Sequence, residues 1–232
     1  MRAGPTPEPS ELPDERRSAR KRRAILDAAT DVFLRNGYPG ASMDEIAALA
    51  RVSKQTAYKH FSDKRSLFSE IVSSAVDEAG DPVHDEIVEL ENSCDVEADL
   101  HHLARQLLRR VMRPRILQLR RLVISEAGRF PELGRTFYEQ GPGRTMAALA
   151  EVFERLAVRG ALRLDDSVLA AAHFNWLVMS IPLNQAMLLG EDQPATPAQL
   201  DRYADAGVRA FLGAYGQAKR RSAPTASAGQ GG

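Results

Sequence analysis

Three features of the 232-residue chain predict an all-α fold. Apolar residues recur at helical spacing in one stretch after another, and no stretch alternates apolar and polar residues as a half-buried strand does. Many of these stretches follow Ser, Thr, Asp or Pro and run out at Gly or Pro, the residues that start and stop helices. No turn signal joins two β-rich runs into a hairpin. The spacing predicts nine or ten helices. They divide into a small N-terminal helix-turn-helix unit and a larger helical domain.

Residues 1–15 hold four prolines and few large apolar side chains, so they are expected to form a disordered arm. A basic run follows: Arg16, Arg17, Arg20, Lys21, Arg22 and Arg23. Between Arg16 and Arg65 there are 12 Lys/Arg against 5 Asp/Glu in a chain of zero net charge, so a head of +7 is balanced by a body of −7. Such asymmetry suits a protein that turns one part towards phosphates. The first helix carries Ile25, Ala29, Val32 and Phe33 on one face and stops at Asn36-Gly37.

The stretch Ser42–Lys64, SMDEIAALARVSKQTAYKHFSDK, reads as helix, tight turn, helix, with a third helix starting almost at once. Ser42 caps the first piece, and Glu45 three residues on completes the pattern of a reciprocal capping box. Ser53 caps the second piece, which packs Lys54, Gln55, Thr56, Tyr58, Lys59 and His60 into two turns. So many hydrogen-bonding and cationic groups suit a helix lying in the DNA major groove, its first residues at base edges and its flanks at phosphates. A solvated polar helix in an ordinary bundle would show the same spacing.

SMDEIAALARVSKQTAYKHFSDKRSLF resembles the DNA-binding segment of TetR-family transcriptional regulators, with Tyr58, His60, Phe61 and Lys64 in that family's pattern. The resemblance covers roughly residues 20 to 70 and includes the NGY turn through Tyr38. It implies that Tyr58, His60 and Lys64 hold the DNA backbone. Arg51 departs from the family, which usually has Gly in that turn. A left-handed conformation there would cost on the order of 1 kcal/mol, part of it recoverable through a phosphate contact.

Asp63 is expected to cap the next helix, whose stripe Leu67, Phe68, Ile71, Val72, Ala75 and Val76 should end at Gly80-Asp81-Pro82. Residues 81–95 are weakly patterned. Beyond them come a stripe through Leu100, Leu103, Leu107, Leu108 and Val111, and a helix opened by Pro114 with Ile116, Leu119, Leu122 and Val123. PELGRTFYEQ predicts a short helix, and a further one runs from Pro142 to Gly160 with Met146, Leu149, Phe153 and Leu156. Asp165 or Asp166 should cap a long apolar helix ending at Leu189-Gly190. Thr196-Pro197-Ala198-Gln199 opens the last helix with a capping box. Residues 16–65 thus form the expected DNA-binding domain, 66–217 a regulatory and dimerisation domain, and 218–232 a low-complexity, disordered tail. RLVISEAGRFPELGRTFYEQGPGRTM is similar to the C-terminal domains of the AefR-like branch of the same family.

Catalytic and metal patterns are not found in the sequence. Gly141-Pro142-Gly143 follows a helix and lacks the rest of a phosphate-loop pattern, so it reads as a turn. His101 and His102 are adjacent and point apart, with no convincing ligand spacing beside them. No cofactor and no enzymatic activity are expected. The single cysteine, Cys94, excludes an intrachain disulfide and fits a reducing cytoplasm. The stretch Val168–Gly190 is broken by His173, Asn175, Asn184 and Gln185 and reads as a buried core helix rather than a membrane span. The N-terminus has no secretory signal, so a soluble, intracellular protein is expected.

His173, Trp176 and Ser180, with Met179 beside them, fall on one side of this helix and are the candidate lining of a small-molecule pocket. They could equally fill core, and a pocket in the helical domain is what the resemblance implies. Val178 and Ile181 on another side, with Val208 and Phe211 of the last helix, are expected to meet a second subunit in a two-fold four-helix interface. The reading is a homodimeric, ligand-released repressor of a palindromic double-stranded DNA operator. The rivals are an all-α small-molecule carrier and a helical enzyme.

Overall fold

The computed structural model describes residues 13–190 and 195–217, and the expected arm before Pro13 and tail from residue 218 lie outside them. Among the described residues ten α-helices run in order: α1 Pro13–Gly40, α2 Met43–Leu49, α3 Lys54–His60, α4 Lys64–Glu89, α5 Val96–Val111, α6 Pro114–Glu126, α7 Pro131–Tyr138, α8 Arg144–Val158, α9 Ser167–Leu189 and α10 Pro197–Tyr215. Among the described residues extended pairing is limited to one isolated bridge, Leu162 with Gly216. The fold is all-α, as predicted.

Helix α1 begins at Pro13, inside the stretch expected to be an arm, and buries Ile25, Ala29, Val32 and Phe33. Its helical path breaks at Gly37, where φ is +68°, a conformation open to glycine at no steric cost. Tyr38 then turns back, stacking on Phe33 at 5.7 Å and meeting Phe68 and Phe130 at 5.1 and 4.8 Å. Two further contacts join this region to α7, for Leu133 and Phe137 share a core with α1–α3 and Arg65 pairs with Glu132 at 2.7 Å. Leu119 and Val123 of α6 complete that core, so the head is not sealed off at Arg65.

Asp63 caps α4 with a reciprocal box to Ser66. Contrary to expectation α4 does not stop at Gly80-Asp81-Pro82 but continues to Glu89. An interior proline costs about 3 kcal/mol. Downstream, Ile87 of α4 and Leu90 just beyond its end are buried in the second core at 1 and 2 % exposure, and that burial is of comparable size. One rod therefore reaches from the head core (Leu67, Phe68, Ile71, Val72) to the body core.

The body core is built around α9, which packs on α8 and α10, with α5 across α10. Phe153, Phe174 and Phe211 form an aromatic cluster with ring centroids 5.1–5.7 Å apart. At the α9–α10 crossing a Cβ on Gly207 would lie 2.8 Å from the Leu177 carbonyl oxygen, so only glycine allows this approach. Bidentate pairs Arg105–Asp205 and Arg109–Asp201 clamp α5 to α10. Gly141-Pro142-Gly143 lies in a π-helical turn, Glu139–Gly143, that carries α7 into α8. Among the described residues no helix is long and apolar enough to cross a membrane.

Candidate nucleic-acid interface and internal pocket

Helices α2 and α3 are each only seven residues long, too short to persist alone, and tertiary anchors hold them. Ile46 and Ala47 seat α2, while Ala57 and the flanking Phe61 seat α3. At the start of α2 the Ser42 hydroxyl accepts from the Glu45 N–H at 3.2 Å. The expected reciprocal half of that box is replaced, because Glu45 takes two hydrogen bonds from the Asn36 side chain at the end of α1.

The turn is a Schellman motif: Val52 N–H bonds the Ala47 carbonyl and Arg51 N–H that of Ala48. Its left-handed position falls on Arg51, with φ +55°. The strain is local, and the Arg51 side chain stands in solvent.

Helix α3 shows most of its polar groups outward. Ser53 caps it through the Thr56 N–H at 3.1 Å and also bonds the Thr56 hydroxyl at 2.8 Å. Lys54, Gln55, Tyr58 and Lys59 are exposed, and Thr56 and His60 are half-buried. Lys54 is not idle in the free protein, since its ammonium lies 2.7 Å from Asp44 of α2, a contact that raises its pKa. Burial lowers the His60 pKa, and the Arg22, Lys59 and Lys21 charges lower it further. Arg22 bonds Glu70 of α4 at 2.6 Å and covers the Phe61 ring, bracing α1 against α3 and α4. The exposed row Arg17, Arg20, Lys21 and Arg23 extends the same basic surface along α1.

Lys64 differs from the rest of this set. Its ammonium turns inward, donating to the carbonyls of Tyr38 and Ala41 at 2.8 and 2.9 Å over the Tyr38 ring.

Behind the head lies a narrow apolar slot, open to solvent, with a cavity volume of about 70 Å³. Ala75 of α4, Leu107 and Val111 of α5, Leu119 and Arg120 of α6, Phe137 of α7 and Thr145 of α8 line it. From α9 come Asn175, Trp176, Met179 and Leu183. Trp176 and Met179 were predicted for a pocket, whereas His173 and Ser180 are corrected. Both are exposed on another side of α9, and the His173 imidazole hydrogen-bonds the Tyr215 hydroxyl at 2.6 Å. Val178, Val208 and Phe211 are corrected too: they lie in the subunit's own core at 0–1 % exposure. Of the four residues expected at a partner only Ile181, 55 % exposed, is free to meet one. Nor is α9 a wholly buried helix, for Leu169, Leu177, Ile181 and Leu188 are all exposed. Arg120 and Asn175 escaped the sequence reading. Arg120 follows Ile116 by four residues on the flank of an apolar stripe, which is the one signal that could have placed it inward.

Comparisons with known proteins bear on both parts. Residues 25–71 match the family model of bacterial regulatory proteins, tetR family, and residues 98–217 that of the AefR-like transcriptional repressor C-terminal domain. A crystal structure from Mesorhizobium loti, described as a TetR-family transcriptional regulator, is 44 % identical with a TM-score of 0.80, covering 87 % of this chain and 99 % of that one. The flavonoid-responsive regulator FrrA is 31 % identical with a TM-score of 0.66, over 85 % of this chain and 98 % of its own. The repressor SCO4008 of Streptomyces coelicolor is 27 % identical over 80 % of this chain and 92 % of its own. The activator FasR of Mycolicibacterium smegmatis is 46 % identical, but the match spans 25 % of this chain and about a quarter of that relative's length.

Proposed function

This chain belongs to the TetR family of bacterial transcriptional regulators, with an AefR-like C-terminal domain, and from that premise we propose that it is a homodimeric repressor that leaves a palindromic operator when a small molecule fills its pocket. One observation carries the coupling. Leu119 and Phe137 line the pocket and are also part of the core under the recognition helix, and Ala75 of α4 packs against both. A ligand that moves these walls moves the seat of α3.

In this reading residues 16–65 contact DNA and 66–217 form the regulatory and dimerisation unit, acting in the cytoplasm without catalysis. Lys54, Gln55 and Thr56 at the start of α3 read base edges, while Ser42, Arg51, Ser53, Tyr58, Lys59 and His60 meet the backbone. Arg22 and Lys64 hold the head's shape while the α1 row follows the phosphates. Trp176 and Met179 contact the effector. The flavonoid response of FrrA supports a small-molecule trigger. The partner subunit covers the exposed stripe Leu177, Ile181 and Leu188 of α9 together with Ala206, Ala210 and Ala214 of α10. His173 and Ser180 fall on this same side.

The test is selection of bound genomic fragments, followed by titration of a recovered duplex and a scrambled one across salt. Sequence-selective, steeply salt-dependent binding is expected. Equal affinity for both duplexes would overturn the proposal.

A further inference from the structure

Four arginines in the body of this protein have carboxylate partners: Arg105 has Asp205, Arg109 has Asp201, Arg110 has Glu86 and Arg155 has Glu91. Arg120 is placed differently. It lines the internal slot, and among the described residues it makes no ion pair and no side-chain hydrogen bond. Its contact is with a ring face, the guanidinium carbon lying 5.5 Å from the centroid of Phe137. Burial pulls its pKa down from the usual arginine value, yet a guanidinium stays charged at neutral pH. A cation in an apolar wall without a counter-charge is costly, and a ring face compensates only part of that cost.

Asn175 lines the same slot. It is 4 % exposed, and among the described residues its amide side chain makes no hydrogen bond. Buried polar groups in native proteins nearly always have partners. Two polar groups without protein partners among the described residues, facing one cavity whose other walls are apolar apart from Thr145, describe a ligand by its complement.

We propose that this slot binds an organic carboxylate on an apolar body, with the Arg120 guanidinium as its counter-ion and the Asn175 amide as its second polar contact. The planar guanidinium fork matches a carboxylate in two parallel hydrogen bonds. The walls of Leu107, Val111, Leu119, Phe137, Met179 and Leu183 accept a hydrocarbon or aromatic body and reject a second charge. Neutralising Arg120 would also draw α6 and its neighbour Leu119 towards the ligand, next to the head core. The proposal rests on the reading of this slot as the effector site, but its binding test needs no DNA.

Trp176 lines the slot and is the only tryptophan in the chain, so intrinsic fluorescence reports occupancy directly. The full-length protein is titrated with decanoate, decanol and decylamine. Decanoate is expected to change Trp176 emission saturably and to bind at least about tenfold more tightly than decanol, with decylamine weakest. Arg120→Gln should remove that advantage and leave decanol binding within about twofold of the parent. Should Arg120→Gln lose its helical circular dichroism, Arg120→Lys, which keeps the charge but not the fork, should give an intermediate decanoate affinity. Equal affinity for decanoate and decanol, unchanged decanoate binding in either variant, or no saturable response to any probe would overturn the proposal. Carboxylate selectivity in a protein that shows no operator preference would uphold the ligand class and overturn the regulatory reading instead.

Discussion

Lys64 is tied to Tyr38: its ammonium donates to the Tyr38 carbonyl at 2.8 Å and sits 4.7 Å from the centroid of the Tyr38 ring. With the Ala41 carbonyl also bound, the first residue of α4 closes the turn that joins α1 to the helix-turn-helix. The resemblance assigns Lys64 to phosphate, and we propose that an ammonium bound to these carbonyls acts through the turn instead. Lys64→Met should lower stability by about 1–2 kcal/mol, the scale of hydrogen bonds from a charged donor. Operator affinity should fall with it, while the slope of affinity against salt should stay that of the parent. A slope reduced by about one counterion would restore the direct phosphate contact.

Asp44 and Lys54 form the other pair that shapes the DNA face. Both are exposed, so their pairing adds little to stability. In the proposed complex it places a carboxylate beside the end of α3 that faces the groove and engages a cation proposed to act there. Asp44→Asn should tighten binding to operator and random duplex alike by a few-fold and steepen the salt dependence. Unchanged affinity at low salt would show that Lys54 is not used at the interface.

Gln55 is the cleanest probe of base readout, because it is exposed and has no intramolecular hydrogen bond among the described residues. Gln55→Ala should leave the melting temperature unchanged and weaken operator binding by about 1–3 kcal/mol for each base edge the amide reads. Equal weakening on operator and random DNA would remove Gln55 from the reading set. Thr56 is less clean, since its hydroxyl also belongs to the Ser53 cap.

Local chemistry was the legible part of this sequence. The caps at Ser53, Asp63 and Thr196 and the left-handed Arg51 depend on a few neighbouring residues, and each occurs where the sequence puts it. What failed was long-range. Helix α4 crosses Gly80-Asp81-Pro82 because Ile87 and Leu90 find a core that no local rule can see. The Glu45 side chain turns from the Ser42 backbone because Asn36, nine residues away, folds beside it. The facing of α9 was missed for a different reason. A helix apolar on nearly all sides carries no phase, so its sequence cannot say which stripe meets which neighbour. Trp176 and Met179 line the slot, while His173 and Ser180 lie on another side of the helix.

Asp205 joins α10 to two residues of α5, accepting from Arg105 and contacting His101 at 2.9 Å. The Arg105 hydrogen bonds, and then the His101 contact, hold its carboxyl below the ordinary aspartate pKa despite partial burial. A carboxyl with a depressed folded-state pKa adds stability that is fully present above its unfolded pKa, near 4, and disappears as pH falls through the folded value. Thermal melts of the parent should therefore drop steeply below about pH 4. Asp205→Asn should melt lower than the parent at pH 7 and converge with it in acid. Parallel pH profiles would show that this clamp adds nothing to stability.

Neighbouring residues Val178 and Ile181 on α9 separate folding from dimerisation. Val178 is 1 % exposed and sits where Gly207 lets α10 approach most closely, so Val178→Asp buries an unpaired charge in the subunit's own core. That costs several kcal/mol and should reduce helical content and cooperativity, whatever the oligomeric state. Ile181 is 55 % exposed on the stripe shared with Leu177 and Leu188. A charge there costs the monomer little but is desolvated without a partner when two subunits pair. Ile181→Asp should keep the parent's circular dichroism, sediment as a monomer at micromolar concentration and bind a half-site only weakly, since one recognition helix then works alone. Sedimentation of both variants with operator titration decides the matter. If Ile181→Asp stays dimeric with parental affinity, the partner covers some other face than the α9–α10 stripe. If the parent itself is monomeric at that concentration, two-fold operator recognition has no structural basis.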